Sequence, residues 1–220
     1  MAKHENIQED FWSSDFGKNY SDRNSFLTNE NWDQIYVETW GHTKIEINGS
    51  VMDALPRDIR ILEVGCNIGL QLKGFQRMGF NHLYGIELQD YAVEKAKKTT
   101  ENINVIQGSG FDLPFKDGFF DLVCTNGVLI HISPENHYGF MSEVVRCSKK
   151  FVMGWEYFCE KIEQIDYRGN AGYLWKADFA QIYMDSFNEL EIVKRVKFPY
   201  IKEEMKGNTD EMFLLQKKGS

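Results

Sequence analysis

Residues 59–69 read Ile-Arg-Ile-Leu-Glu-Val-Gly-Cys-Asn-Ile-Gly, an apolar run that leads directly into a loop with a glycine at each end. The run is typical of a buried β-strand, and the glycines allow a sharp turn. The amphipathic stretch from Leu70 to Met78 follows, and Gly79 after it is a common helix end. A strand, a glycine loop and a helix in this order predict the first unit of a parallel α/β sheet, with a binding site at the loop.

The alternation of apolar runs and amphipathic stretches continues along the chain. Further strands are predicted over residues 82–88, 104–107, 120–125 and 151–155, and helices over residues 91–99 and 134–145. Strands and helices that alternate at this spacing predict a Rossmann-like α/β fold, a mostly parallel sheet with helices on both faces. The last two apolar runs, 190–198 and 211–216, are separated by a short polar connection. They predict an antiparallel pair, because a parallel crossover needs a longer connection.

The first 56 residues are aromatic-rich and have a helical pattern. Thr28 can cap a helix in which apolar and aromatic side chains recur every three or four residues, namely Trp32, Ile35, Tyr36, Thr39 and Trp40. We therefore expect an N-terminal helical extension over residues 1–56 and a main domain over residues 57–218. Phe11, Trp12 and Phe16 are interpreted either as a lid over the site or as ordinary packing.

Composition excludes several classes of protein. With 220 residues, of which 42% are hydrophobic and 26% charged, the chain is long enough and apolar enough for a sizeable core. Acidic residues number 33 and basic residues 25, for a net charge of -8, and this balance argues against a nucleic-acid partner. The polar start and the absence of a long apolar run predict no signal peptide, no membrane span and a cytoplasmic location.

The four cysteines, Cys66, Cys124, Cys147 and Cys159, have no paired spacing. We predict no metal site and no disulfide, as expected for a reduced compartment. Cys66 and Cys124 fall within or beside strand-like runs, where a free thiol acts as a small buried hydrophobe.

Two carboxylates indicate the chemistry of the ligand. Glu63 precedes Gly65 by two residues, and the loop reads GxNxG instead of the dinucleotide fingerprint GxGxxG. A carboxylate there would repel a pyrophosphate but would suit a positively charged group such as an ammonium or sulfonium. Glu87 ends the second predicted strand, where a carboxylate can accept hydrogen bonds from ribose hydroxyls. The pattern therefore predicts a nucleoside ligand that carries a positive charge.

Four segments extend this pattern: ILEVGCNIG at 61–69, YGIEL at 84–88, GSGFDLPF at 108–115 and FDLVCTNGVLIHI at 120–132. In this order and spacing they resemble the motif series of class I S-adenosylmethionine-dependent methyltransferases. The resemblance implies a seven-stranded sheet with an antiparallel last strand. It also implies S-adenosyl-L-methionine as the cofactor and S-adenosyl-L-homocysteine as the product.

The resemblance also assigns residues to the cofactor. Those expected around the methionine part are Glu63, Gly65, Cys66, Asn67, Gly69 and Asn126. Asn67 replaces a frequent glycine, which is tolerable because asparagine accepts left-handed geometry. Glu87 would hold the ribose, and Leu88 would pack against the adenine.

The third segment would complete the adenine site. Ser109 stands where the family often has an acidic residue facing the adenine amino group, and its hydroxyl would accept that bond as a neutral partner. Gly110 would offer its backbone N–H to the ring, with Phe111 beside it.

The flanks suggest the acceptor. FWxxxFGxxYxxRN from Phe11 to Asn24, together with YRG at 167–169 and LWKADF at 174–179, resembles methylases associated with pseudaminic acid biosynthesis. That resemblance implies an acidic sugar intermediate as acceptor.

Four polar residues in these flanks are candidates for binding. Tyr20 and Arg23 would share one helical face, and Arg23 could clamp a carboxylate of the cofactor or of an acidic substrate, or form a surface ion pair. Tyr167 and Arg168 are interpreted as substrate-binding or as structural.

His131 is the candidate catalytic residue. It follows the fourth predicted strand, and a neutral imidazole there could take a proton from an acceptor hydroxyl. A structural role is the alternative, because alignment alone can supply much of the catalysis of an in-line displacement. His137 is a weaker candidate.

We therefore predict methyl transfer to an oxygen or nitrogen of a small-molecule substrate, with an acidic sugar intermediate of surface polysaccharide synthesis as first candidate. Two alternatives stay open. A non-catalytic S-adenosylmethionine-binding module would keep the pocket, and an NAD-dependent oxidoreductase would share the first βαβ unit but needs GxGxxG. The oligomeric state is not determined by the sequence.

Overall fold

The architecture is given by a computed structural model, which describes residues 7–25, 27 and 29–219. The helices are α1 (Ile7–Ser13), α2 (Asp15–Asn24), α3 (Asn29–Trp40), α4 (Lys44–Met52), α5 (Leu70–Arg77), α6 (Asp90–Thr99), α7 (His137–Cys147) and α8 (Phe179–Ser186). The strands are β1 (Arg60–Val64), β2 (His82–Glu87), β3 (Ile103–Gln107), β4 (Phe120–Asn126), β5 (Ser148–Tyr157), β6 (Glu163–Gln164), β7 (Trp175–Lys176), β8 (Leu190–Pro199) and β9 (Thr209–Lys217). The predicted helix cap, Thr28, lies outside the described residues.

Seven of the strands form one sheet in the order β3-β2-β1-β4-β5-β9-β8. Strands β1 to β5 pair in parallel, whereas β9 runs antiparallel to both β5 and β8. This confirms the predicted Rossmann-like sheet with an antiparallel last strand. The strand order reverses between β1 and β4, and ligands of such sheets bind in the crevice beyond the carboxyl ends of the strands at that point.

Helices cover both faces of the sheet, as predicted. On one face, buried side chains of α3 to α6 share a hydrophobic cluster with the sheet, for example Trp32, Ile47, Phe75 and Val93. On the other face, α7 and α8 contribute Phe140, Met141, Phe179 and Tyr183 to a second cluster.

The N-terminal helices begin where local sequence favours it. A capping box, in which Thr43 and Glu46 exchange side-chain-to-backbone hydrogen bonds, starts α4. The predicted boundary at residues 56–57 falls in the loop between α4 and β1. Side chains of α3 and α4 pack within the same cluster as the sheet, and the division into an N-terminal extension over 1–56 and a main domain over 57–218 stays a prediction.

The predicted helix over 134–145 differs slightly in the structure. Its first residues, Pro134–Asn136, form a 3-10 turn, and α7 begins only at His137. The hairpin of β6 and β7 was not expected, because strands of two residues leave no periodic pattern.

The cysteines of the fold have no disulfide partners among the described residues. Burial raises the pKa of the Cys66 and Cys124 thiols well above the usual value. Within the described part of the chain, no helix has both the length and the apolar character needed to cross a membrane.

Candidate active site

The glycine loop after β1 turns sharply into α5. Gly65, Asn67 and Gly69 all have positive φ, at 76°, 46° and 81°. A Cβ atom on Gly65 would lie 2.7 Å from Val128 Cγ2, so the loop leaves no room for a side chain there. The N–H groups of Gly65 and Cys66 both donate to the Ile86 carbonyl, at 2.8 and 3.1 Å, which fixes the loop against β2.

A cavity of about 430 Å³ opens beside this loop, bounded by the carboxyl ends of the central strands and by α1, α2 and α3. Most of the residues predicted from the sequence line it: Tyr20, Arg23, Glu63, Gly65, Cys66, Asn67, Glu87, Leu88, Gly110, Phe111, Asn126 and His131. Gly69, Ser109, Tyr167 and Arg168 are outside its wall. Gly69 instead lies at the N-cap of α5.

Two of the lining carboxylates come from the sheet. Glu63 is only 2% exposed, and its Oε2 has no hydrogen-bond partner among the described residues. Burial raises its pKa well above the usual value, although the Lys44 charge acts in the opposite direction. Glu87 accepts hydrogen bonds from the backbone N–H groups of Asn67 and Gln89, each at 2.9 Å. Glu63 therefore presents one buried oxygen without a partner among the described residues, and Glu87 is held in one orientation.

A third carboxylate, Glu9, reaches the cavity from α1. Its Oε1 accepts a hydrogen bond from the Ser109 hydroxyl. The oxygen of the same hydroxyl accepts a hydrogen bond from the backbone N–H of Phe111 at 3.0 Å. Sequence reasoning missed Glu9, because nothing in a short helix 100 residues away indicates this contact.

Arg23 and Tyr20 lie on α2, as the helical spacing predicted. Arg23 Nη2 is buried without a hydrogen-bond partner, and Arg23 forms no ion pair with any described residue. Its guanidinium carbon lies 5.6 Å from the centre of the Tyr20 ring and 5.9 Å from that of Phe16. A lining guanidinium with unused N–H groups is suited to bind a carboxylate.

The N-terminal aromatic residues Phe11, Trp12 and Phe16 contact rings of the segment that follows β5. We call the helices α1 and α2 with these rings the cover. Trp12 lies 4.6 Å from the His131 ring and 6.2 Å from the Tyr167 ring, between ring centres. Phe11 stacks on Tyr173 at 3.9 Å. Tyr167 thus packs behind the cavity wall. Arg168 is exposed in a turn, with φ at 54°.

The two histidines differ in what they can do. His131 Nδ1 lies 2.7 Å from the Tyr173 carbonyl, and a carbonyl only accepts, so Nδ1 carries the proton and Nε2 keeps its lone pair. Burial lowers the pKa of His131 to about 4, so the ring is neutral at pH 7 and a weak base. His137 is buried outside the cavity wall and bonds the Ile132 carbonyl at 2.9 Å, in keeping with a structural role.

Lys44 is the second residue that the sequence reasoning missed. It is completely buried, and its Nζ donates to Asn126 Oδ1 at 2.7 Å. The same nitrogen lies 4.4 Å from the centre of the Trp155 ring and 5.0 Å from that of Tyr36. Lys44 precedes Ile47 by three residues and Val51 by seven, so helical spacing placed it on the buried face of α4 and could have indicated it.

Burial lowers the pKa of Lys44 to about 7. Four acidic groups act in the opposite direction and favour its charge: Asp210, Glu63, Cys124 and Glu156. Because an ammonium can only donate, it holds the Asn126 carbonyl, and the amide N–H₂ of Asn126 is left for the cavity.

Part of the chain is similar to known proteins. Residues 62–151 match the family model described as methyltransferase domain. An uncharacterized protein of Haemophilus influenzae is 29% identical over 99 residues. Those residues cover 42% of this chain and 39% of that protein, so the chain matches well under half of its relative's length.

Solved structures share the fold. Magnesium protoporphyrin IX methyltransferase from Synechocystis PCC 6803, with bound S-adenosylhomocysteine, is 14% identical with a TM-score of 0.67, over 96% of this chain and 98% of that chain. A chain of the complex between the Haloferax volcanii Trm112 methyltransferase activator and the putative methyltransferase is 11% identical with a TM-score of 0.67, over 91% and 96%. An S-adenosylmethionine-dependent methyltransferase of Methanosarcina mazei is 15% identical with a TM-score of 0.61, over 76% and 96%.

The family match supports methyl transfer, and the structural similarities show the fold. Residues 62–151 match a methyltransferase domain, and these similarities support S-adenosylmethionine as the cofactor.

Proposed function

We propose that this S-adenosylmethionine-dependent methyltransferase transfers the methyl group to an oxygen or nitrogen of a small acidic acceptor, such as a sugar-derived intermediate of surface polysaccharide synthesis. The observation that carries the proposal is the cavity lined in part by α1 and α2. Beyond the three carboxylates it is lined by aromatic rings, including Trp12, Tyr36 and Trp40. A covered cavity of about 430 Å³ suits a small molecule beside the cofactor better than a polymer strand.

The residues present fit the cofactor. The buried, unpartnered Oε2 of Glu63 suits its ammonium group, and the buried, unpartnered Nη2 of Arg23 suits its carboxylate. Glu87, held by two backbone N–H groups, suits the ribose hydroxyls, and Leu88 and Phe111 provide apolar walls for the adenine. When bound, S-adenosylmethionine supplies a methyl group on a positively charged sulfur, which is open to in-line attack by a lone pair.

The chain's own contribution to the reaction is alignment and hydrogen bonding. Lys44 holds the Asn126 amide so that its N–H₂ group faces the cavity, where it can orient an oxygen of the acceptor. His131, neutral and with a lone pair on Nε2, would accept a hydrogen bond from an acceptor hydroxyl and, because its pKa is low, would orient that hydroxyl more than remove its proton.

The flanking motifs support the acidic sugar. Trp12 and Phe16 of the first motif contact Tyr167 of the second, at 6.2 and 5.6 Å between ring centres. The two segments that resemble pseudaminic acid-associated methylases therefore contact each other through Trp12, which lines the cavity. The third segment has a structural part, since Asp178 caps α8 by accepting from the Gln181 N–H at 2.8 Å.

The experiment is a methyl-transfer assay that follows formation of S-adenosylhomocysteine with a panel of acidic sugars, nucleotide-linked sugars and matched neutral sugars. We expect turnover with acidic members of the panel. Turnover with neutral sugars alone would contradict the acidic acceptor, and binding without any turnover would favour a non-catalytic module.

Calorimetric titration with S-adenosylhomocysteine tests the cofactor residues separately. The variant Glu87→Ala should lose most of the affinity, because the ribose hydroxyls lose a charged acceptor. Unchanged affinity would reject the ribose assignment, and failure of the wild-type protein to bind would reject the cofactor itself.

A further inference from the structure

Among the described residues, three carboxylates line the cavity: Glu9, Glu63 and Glu87. They follow the order of the strands. Glu63 belongs to β1 and Glu87 ends β2, while Glu9 is bonded to Ser109 in the loop after β3. Since β1, β2 and β3 are successive neighbours in the sheet, the three carboxylates lie in a row across the carboxyl ends of these strands.

The cofactor carries three hydrogen-bond donor groups in a row. Along its length these are the ammonium of the methionine part, the two ribose hydroxyls and the amino group of the adenine. With Glu63 for the ammonium and Glu87 for the ribose, the third carboxylate falls opposite the adenine. We propose that Glu9, supplied by α1, accepts the hydrogen bond of the adenine amino group; this inference rests on the cofactor and function proposed above.

Ser109 has a different task at this end of the cavity. Its hydroxyl donates to Glu9 and accepts from the Phe111 N–H, and the residue does not line the wall. It therefore positions the Glu9 carboxylate instead of meeting the adenine, contrary to the role expected from the sequence. A carboxylate has about four acceptor positions, so Glu9 can hold the Ser109 bond and receive an amino group as well.

The surroundings of Glu9 suit an adenine ring. Leu88, Gly110 and Phe111 line the same end of the cavity. Gly110 packs closely, because a Cβ there would lie 2.2 Å from a carbon of the Phe140 ring. The adenine site is thus built from the loops after β2 and β3 and closed by a helix from the start of the chain, so recognition of the base requires α1 in place.

The test compares two ligands: S-adenosylhomocysteine and its analogue with hydrogen in place of the 6-amino group. Calorimetric titration is done on the wild-type protein, on Glu9→Ala and on Asp10→Ala. Asp10 is the matched control, since it is an exposed carboxylate on the same helix. Thermal melting confirms that each variant is folded.

We expect the wild-type protein and Asp10→Ala to prefer the amino-bearing ligand by about ten- to a hundredfold, the usual range for a hydrogen bond to a charged group. Glu9→Ala should bind S-adenosylhomocysteine more weakly and lose most of this preference. The double variant Glu9→Ala/Ser109→Asp should regain it, because the acid is then supplied by the loop.

If Glu9→Ala still prefers the amino-bearing ligand, the inference about Glu9 is overturned, while the assignment of the cofactor stands. If the wild-type protein binds neither ligand, the result contradicts the proposed function and not the role of Glu9. Should Glu9→Ala bind too weakly to titrate, Glu9→Gln is measured in the same way, and an unchanged preference there counts equally against the inference.

Discussion

The four N-terminal helices form two pairs that contact the sheet in different ways. In α3 and α4, side chains such as Trp32, Ile47 and Met52 are buried in the same hydrophobic cluster as the central strands. No described residue of α1 or α2 belongs to either hydrophobic cluster; these helices make polar contacts, such as Glu9 with Ser109, and aromatic contacts, such as Trp12 with His131. The first pair is part of the core, whereas the second is a cover that contributes Glu9, Trp12 and Arg23 to the cavity wall.

The cations of the two pairs show the same contrast. Lys44 on α4 is completely buried and bonded to Asn126, whereas Arg23 on α2 lines the cavity with an unused Nη2. A buried cation costs stability unless it is paired, while an unpaired one at a cavity wall is available to a ligand. We therefore expect substitutions in α3 and α4 to change mainly the free energy of unfolding. Substitutions in α1 and α2 should change mainly the affinity for the ligand.

The largest expected effect is on the core pair. Met52 is completely buried, so Met52→Ala should lower the free energy of unfolding by about 2–5 kcal/mol through lost burial and a cavity. Urea denaturation measures it, with Val37→Ala, an exposed position on α3, as control. A loss no greater than that of the control would place α4 outside the core.

A second effect concerns the buried lysine and pH. Because the native pKa of Lys44 is lowered to about 7 from 10.5, the unfolded chain binds more protons between these values. The free energy of unfolding should therefore rise with pH above 7, with a limiting slope of about 1.4 kcal/mol per pH unit. Lys44→Met should remove this contribution.

Urea denaturation of both proteins from pH 7 to 8.5 measures the slope. Glu156 and Asp210, whose pKa burial raises to about 7, act mainly below this range. The raised thiol pKa values of Cys66 and Cys124 act above it and are common to both proteins. Equal slopes would mean that Lys44 keeps an ordinary pKa.

A third, smaller effect is expected in the cover. Trp12 contacts the rings of His131 and Tyr20 at 4.6 and 5.4 Å between centres, and an aromatic pair is worth about 0.5–1.5 kcal/mol. Trp12→Ala should lower affinity for S-adenosylhomocysteine roughly two- to tenfold, with less loss of stability than Met52→Ala. Tyr138→Ala, an exposed aromatic on α7, is the control. The reverse pattern, a large loss of stability and unchanged affinity, would make α1 part of the core.

The smallest effect is expected at the edge of the cover. Asp22 accepts hydrogen bonds from Lys95 and, at 2.6 Å, from Tyr91 Oη, and these bonds lower its pKa. Asp22→Asn should leave the melting temperature unchanged and weaken ligand binding slightly, more at low than at high salt, since salt screens an exposed pair. A clear fall in melting temperature would show that α2 is held as firmly as α3.

The sequence predicted the fold well because its evidence was local. The spacing of apolar residues and the glycines of the turn predicted β1, its loop and α5. The short connection between the last two strands predicted their antiparallel pairing, and the structure confirms both. Glu63 and Glu87 were found because they lie at strand ends next to a glycine loop. The hairpin of β6 and β7 was missed because two residues per strand carry no pattern.

What the sequence by itself determined is thus the order of strands and helices, the glycine loop and the identity of its carboxylates, since all of these depend on neighbours along the chain. Only the tertiary structure decided which distant side chains meet at the cavity. Glu9 is 100 residues from Ser109, and Lys44 is 82 from Asn126. Such contacts arise from how helices pack on the sheet, and packing depends on the three-dimensional arrangement of many side chains that no local pattern records.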